Sequence, residues 1–217
     1  MFVKTFPVGA LGCNCSILGC EKTLEAIIID PGDEAQKILN LITQQGFKVK
    51  AILHTHTHVD HISATKEVKD ATNGQVMMHE KEKWLYENFQ KQLDFTRERW
   101  FQDFWPNFKE ISPVDHYFED EEIITFGDHK LNIIFTPGHT EGSSCFQVEG
   151  DENLIFTGDT LFQSSVGRTD LWGISMEVLV GSIKNRLLTL DDDSIVIPGH
   201  GPNTKIGLEK RMNPFLV

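Results

Sequence analysis

The sequence predicts an α/β protein made of two β-sheets packed face to face and covered by helices, an αββα layering. Three observations carry this expectation. Short apolar runs alternate with stretches of helical periodicity; their order is strands and helices, then strands, then helices again; and no internal repeat or low-complexity linker divides them. NCSILGC and EAIIID are predicted strands, the second closed by the turn residues DPGD. Residues 33–46 form a helix, with Ile38, Leu39, Leu41 and Ile42 at helical spacing and Gly46 as its stop. VKAILHT is a strand, residues 61–72 a helix, and QVMMH a strand. Further strands are predicted at 123–126, 131–136, 145–149 and 154–158. A helix follows at about 175–189, then the strand SIVIP and a last helix near 204–212.

The 217 residues suffice for one sizeable domain, read here as 1–217 with an aromatic-rich helical insertion at about 80–115. No apolar run reaches membrane-spanning length, and the start MFVKTFPVGALGCNCSIL lacks the features of a signal peptide. Against 32 Asp and Glu stand 20 Lys and Arg, a net charge of −12. Such a surface repels phosphate backbones, so no nucleic-acid partner is expected. Four cysteines are too few for a disulfide scaffold, and CNCSILGC is read as small buried thiols on a strand in a reducing cytoplasm.

Residues 84–108 hold nine aromatics, of which Trp100, Phe101, Phe104, Trp105 and Phe108 are spaced as one stripe of a helix. Two compatible readings follow: a helical pair packing its own small core, and a lid or wall beside a substrate pocket.

Chemistry concentrates where the strand AILHT runs into His54, His56, His58, Asp60 and His61, four of the nine histidines within eight residues. Imidazoles with one carboxylate suit zinc and tolerate iron or manganese. Three more apolar strands end in a glycine-flanked polar residue: IIFTPGHT at His139, LIFTGDT at Asp159 and SIVIPGHG at His200. Glycine lets the backbone turn tightly beside a crowded centre. His56 and His58, two apart, can face one side, while Asp60 and His61 begin the next turn of chain. His54 is read as a residue behind the ligands or in the core, and His79, His116 and His129 belong to no motif.

THTHVDH, PGHTEGS, FTGDTLF and PGHG together resemble the motifs of the metallo-β-lactamase fold superfamily, over nearly the whole chain. LFQSSVGRTDL, PGHGPNTKIGLEK and the ending NPFL resemble its compact glyoxalase II-like (hydroxyacylglutathione hydrolase-like) hydrolases. The resemblance implies a sandwich of two mixed sheets flanked by helices and a binuclear metal centre. His56, His58 and His139 would hold the first metal, Asp60, His61 and His200 the second, and Asp159 would bridge them. Two divalent ions are implied, with zinc the first expectation.

Such a pair, about 3.5–4 Å apart, polarises a carbonyl and lowers the pKa of bound water enough to supply hydroxide near neutral pH. Asp159 would set the separation and Asp60 would also orient the hydroxide. The expected reaction is hydrolysis of an activated acyl bond in a small molecule, above all a thioester such as S-2-hydroxyacylglutathione. A thiolate leaving group, with a thiol pKa of about 8.5, needs no strong general acid. Arg168 is equally able to pair with a substrate carboxylate or with Asp170. The 17 residues after His200 lack the C-terminal helical extension by which full-length glyoxalase II-like enzymes help bind glutathione, so the thiol carrier stays open. Alternatives are a mononuclear iron persulfide dioxygenase, which shares the fold and the GRTD sequence, a lactone or other ester hydrolase, and a non-enzymatic metal-binding module.

Overall fold

A computed structural model of the chain describes residues 1–100, 102–148, 150 and 153–217. Phe101 of the aromatic stripe and Glu149, the end of one predicted strand, lie outside the described residues. The first half builds a six-stranded mixed sheet in chain order: β1 (Phe2–Val8), β2 (Cys13–Gly19), β3 (Glu25–Ile29), β4 (Lys48–Leu53), β5 (Gln75–His79) and β6 (His116–Phe118). β1 and β2 are antiparallel to their neighbours, whereas β3 through β6 run parallel. Parallel pairing requires crossovers, supplied by α1 (Ala35–Gln45) and by α2 (Val59–Ile62) with α3 (Thr65–Thr72). The last crossover holds α4 (Lys83–Glu87) and α5 (Phe89–Trp100).

The second half forms the facing sheet from β7 (Ile123–Phe126), β8 (His129–Phe135), β9 (Ser144–Val148) and β10 (Leu154–Gly158). After the small hairpin of β11 (Leu161–Phe162) and β12 (Ser165–Val166) comes α6 (Met176–Ser182), which continues as a wider turn over Ile183–Leu187. β13 (Ile195–Pro198) then pairs parallel with β10, β14 (Thr204–Lys205) closes the edge, and α7 (Ile206–Met212) follows.

Alternation along the strands sorts the apolar residues into three layers. Leu18, Ile27, Ile29 and Leu53 of the first sheet meet Phe126, Leu131, Phe146 and Phe156 of the second. Ile17, Ile28 and Ile52 face the other way, onto Ile38 and Ile42 of α1 and Val68 of α3. Cys145, Ile155 and Val196 face Leu179, Ile183 and Ile206. The predicted αββα layering is therefore the observed one. All four cysteines are buried and free. No helix among the described residues is long and apolar enough to cross a membrane.

Several elements differ from expectation for local reasons. β1 pairs as an edge strand, where Pro7 costs no inner ladder bond, and its broken apolar pattern concealed it. The single helix expected over 61–72 is split, because the Ala64 amide donates to Pro31 O at 3.0 Å instead of continuing the first turn. In the insertion, helix ends at Trp100, and 102–115 is turn and extended chain. The predicted helical stripe through Phe108 is thus incorrect. Pro106 disfavours helical backbone at Trp105, yet Trp105 and Phe108 are buried against the first sheet's outer layer through a turn.

Gln92 fastens this insertion to the chain after β4. Its side chain is buried, donates to Thr57 O and Leu85 O at 3.0 Å each, and accepts from Val59 N at 3.1 Å. Gln92→Leu would leave buried backbone groups unpaired, at about 1–3 kcal/mol each. Denaturant unfolding of that variant should show a loss of about 2–5 kcal/mol, against under about 1 kcal/mol for the exposed Gln90→Leu.

Candidate metal centre

Four strands deliver the site. β4 and β8 end before the stretches that carry His54 to His61 and His139, β10 ends before Asp159, and β13 before His200. β10 and β13 run parallel, so Asp159 and His200 emerge at the same sheet edge. Ser144 N donates to Thr55 O at 2.8 Å, tying the histidine loop of the first sheet to the second. Asn14 N donates to Gly199 O at 2.7 Å, and Asn14 Nδ2 to Pro198 O and Gly201 O, which fixes the last loop. Gly158 has φ +48°, and a Cβ there would stand 2.3 Å from Thr55 Oγ1. At Gly199 a Cβ would stand 2.3 Å from Asp159 Oδ1 and 2.8 Å from His61 Cε1, so only glycine leaves the centre open.

Two trios converge. His139 Nε2 lies 3.2 Å from His56 Nε2 and 3.0 Å from His58 Nδ1. His200 Nε2 lies 3.3 Å from His61 Nε2 and 3.1 Å from Asp60 Oδ2. Asp159 stands between them. Its Oδ2 is 3.7 Å from His139 Nε2, and its Oδ1 is 3.6 Å from His61 Nε2 and 3.7 Å from His200 Nε2. Among the described residues, His56–His58–His139, Asp60–His61–His200 and Asp30–His56–His61 are the groups spaced to hold a metal ion.

The outer nitrogens decide what the inner ones present. His58 Nε2 donates to Leu171 O at 3.2 Å, His139 Nδ1 to Arg168 O at 2.7 Å and His200 Nδ1 to Leu11 O at 3.1 Å. His61 Nδ1 donates to Asp30 Oδ2 at 3.1 Å. His56 Nδ1 donates to Thr55 Oγ1 at 3.1 Å, and that hydroxyl donates on to Asp30 Oδ2 at 2.6 Å. A neutral imidazole carries one N–H, so with it used outward each ring of the first trio turns a bare lone pair inward. At His61 and His200 burial lowers the pKa, but the acidic groups beside them outweigh it and hold both above the ordinary imidazole value. Burial pushes the His56 imidazole well below its ordinary pKa, His58 down to about 3 and His139 down to about 4, keeping the first trio neutral. Burial raises the Asp60 carboxyl, but His61 and His200 outweigh it and hold it below the usual carboxylate range.

Lone pairs about 3 Å apart with no proton between them repel, and a cation relieves that repulsion. Metal–nitrogen bonds of about 2.0–2.1 Å at tetrahedral angles place their donors roughly 3.3–3.4 Å apart, close to the 3.0, 3.2 and 3.3 Å between the ring nitrogens here. Asp159 Oδ1 is buried without a hydrogen-bond partner, an orphan beside the second trio that a metal would satisfy. The donor set therefore fits two metal ions sharing one carboxylate.

Other expected residues lie around this centre. His54 is fully buried, with Nε2 3.2 Å from Thr65 Oγ1 and Nδ1 3.9 Å from Asp30 Oδ1, behind the two trios. His79 stacks on Phe135, His116 pairs with Glu122, and His129 lies against Phe126, all away from the site. Arg168 engages Asp170 in a bidentate pair at 2.6 and 2.7 Å, while its backbone carbonyl holds His139. Cys13 lies 3.4 Å from His61 Nδ1, and burial pushes its thiol up to about 12.

Sequence reasoning missed Asp30. Buried at the end of β3, it accepts from Thr55 N at 2.8 Å, Thr55 Oγ1 and His61 Nδ1, and so orients one histidine of each trio. The only signal was an acidic residue closing a wholly apolar strand.

Beside the trios opens a pocket of about 220 Å³. His58, Asp60, His139 and Asp159 form its floor, and Phe95, Trp100, Trp105 and Trp172 its walls. Trp172 holds a left-handed backbone, φ +57°, and packs edge-on against Phe95 at 5.4 Å. A larger recess of about 500 Å³, lined by α1, α3 and residues 104–110, carries none of the site's histidines.

The sequence pattern of the metallo-beta-lactamase superfamily matches residues 8–200. A hydroxyacylglutathione hydrolase, GloC of Haemophilus influenzae, is 38% identical, covering 100% of this chain and 98% of its own. A probable metallo-hydrolase, YqgX of Bacillus subtilis, is 37% identical over 98% of this chain and 96% of its own. Among solved structures, the B3 metallo-beta-lactamase BLEG-1 superposes with a TM-score of 0.86 at 35% identity, over 99% of both chains. TTHA1623 in a di-iron-bound form superposes with a TM-score of 0.83 at 36% identity, over 100% of both.

Asp30→Asn keeps the shape but cannot accept from both Thr55 and His61. Its metal affinity, titrated against a competing chelator, should fall about 10–100-fold. His54→Ala should keep the parent's metal content by elemental analysis.

Proposed function

The chain belongs to the metallo-β-lactamase superfamily, and we propose that it is a binuclear metal-dependent thioester hydrolase of the glyoxalase II type. In this reading His56, His58 and His139 would hold one metal, Asp60, His61 and His200 the other, and Asp159 would be shared between them. The observation that carries it is the pair of inward-facing donor trios with the orphaned Asp159 Oδ1 between them. Bound there, two divalent metals supply Lewis acidity at the acyl oxygen and a water acidic enough to act as nucleophile near neutral pH.

The chain's own residues do the rest. Asp60, held ionised on the pocket floor, orients the attacking water. The pocket's aromatic walls exclude bulk water and seat the acyl group. A volume of about 220 Å³ admits a short acyl chain and the thioester but not a whole tripeptide thiol, which then extends across the rim. Asp159, the pocket carboxyl whose pKa burial raises, is committed to the metals in this reading, which suits a thiolate leaving group, stable near neutral pH without protonation. The Haemophilus influenzae relative is named for hydrolysis of hydroxyacylglutathione, and its similarity over full length supports this substrate class.

Persulfide oxygenation is a second reading, favoured by the GRTD sequence. The complete second trio, Asp60, His61 and His200, favours two metals and hydrolysis over a single iron.

Purified protein should carry two metals per chain and release thiol from S-2-hydroxyacylglutathione. Oxygen uptake on glutathione persulfide, with one iron per chain and no thiol release from thioesters, would sink the assignment. Asp159→Ala should lose both metals and the activity together.

The walls divide by exposure. Trp105 is 4% exposed and Trp100 43%. Trp105→Ala should lower the melting temperature by several degrees, a cavity cost of about 3–5 kcal/mol. Trp100→Ala should leave it within about a degree and raise KM for bulky acyl thioesters at unchanged metal content.

A further inference from the structure

Glu82, at the end of the short turn Glu80–Glu82, is 1% exposed and belongs to no motif of the metal centre. Its two carboxylate oxygens go to two different loops. Oε2 accepts from Thr57 N at 2.7 Å and from Thr57 Oγ1 at 2.8 Å. Oε1 accepts from Thr140 Oγ1 at 2.5 Å and from Gly142 N at 2.8 Å. Thr57 is the residue between His56 and His58, and Thr140 directly follows His139. One buried carboxylate thus spans the two loops whose histidines converge as the first trio. Nothing equivalent joins Glu82 to Asp60, His61 or His200 among the described residues.

Burying a carboxylate is costly unless its acceptor positions are filled. Here all four bonds come from the histidine loops, so the group is satisfied only when those loops stand in the observed register. We propose that Glu82 is a positioning residue for the first metal, a clamp that sets the His139 loop against His56 and His58. The proposal rests on reading those three histidines as one ligand set. It makes the aromatic insertion, which opens at Glu82, part of the metal centre's scaffold as well as a wall of its pocket. It also predicts asymmetry: loosening the clamp frees one metal and not the other.

Glu82→Gln is the direct test. The amide matches the carboxylate in shape, but its NH2 cannot accept from Gly142 N or Thr57 N, so one loop is released while the fold keeps its packing. The probe is Zn2+, removed by a graded chelator and counted per chain, with melting temperature measured in the metal-free state. One of two metals should leave Glu82→Gln at a free-zinc concentration about 10–100-fold higher than in the parent, the second being held as before. In a His200→Ala background, which keeps the first trio, Glu82→Gln should remove the remaining zinc. In a His139→Ala background, which keeps the second, it should change zinc binding less than twofold. Equal weakening in both backgrounds, or none in either, overturns the clamp while leaving the ligand sets standing. Parents His139→Ala and His200→Ala that both retain two zinc ions overturn the ligand sets and the clamp together. Should Glu82→Gln lose its thermal transition, Thr140→Val, which removes one hydroxyl arm, carries the same expectations.

Discussion

The centre depends on one electrostatic constraint: five imidazole rings are held with one nitrogen turned out to a partner and the other turned in to a shared centre. Left alone, those rings would flip, protonate or turn to solvent. They are held because each outer nitrogen has a partner that accepts its proton: three backbone carbonyls, a carboxylate and a threonine hydroxyl. The energy that makes the centre unfavourable when empty is the energy that makes it selective for a divalent ion. Glycine at 158 and 199 then keeps the backbone from filling the space that the lone pairs define.

The fold supplies this constraint by bringing strand ends together. β4 belongs to one sheet and β8, β10 and β13 to the other, so the centre sits over the seam between them. Buried polar groups fix the loops around that seam where apolar packing cannot give direction, and among Asp30, Gln92 and Glu82 only the last spans it. Asp30 reaches from β3 to Thr55 and His61, Gln92 from α5 to Thr57 and Val59, and Glu82 from the insertion to both histidine loops. Each is satisfied several times over, as a buried polar group must be if it is not to destabilise the fold. The apolar layers give the sandwich its stability, and these few groups fix the loops.

Much of this was legible in the sequence. The αββα layering followed from alternating apolar runs, and the histidine and aspartate positions stood out because rare residue types recurred just past apolar strands. Asp30, Glu82 and Gln92 did not stand out, because carboxylates and amides are common and their partners lie far along the chain. Glu82, for instance, meets Thr57 25 residues before it and Thr140 58 after it. The aromatic stripe misled for a different reason. Its spacing is helical, but the helix ends at Trp100, Pro106 disfavours its resumption at Trp105, and Trp105 and Phe108 are buried through a turn that spacing alone cannot announce. The role of Arg168 was half legible: the sequence left its side chain equally open to a substrate carboxylate and to Asp170, where it lies, and its carbonyl's hold on His139 leaves no trace in residue identity.

Three of the outer acceptors are the main-chain oxygens of Leu11, Arg168 and Leu171, and the same three residues line the pocket. Each therefore orients a histidine through its carbonyl and also lines the pocket. Any side chain that tolerates the local backbone offers the same carbonyl. The lining of the pocket can accordingly drift at these positions while the histidines keep their orientation, and a lineage can change what the pocket admits without first dismantling the centre beneath it.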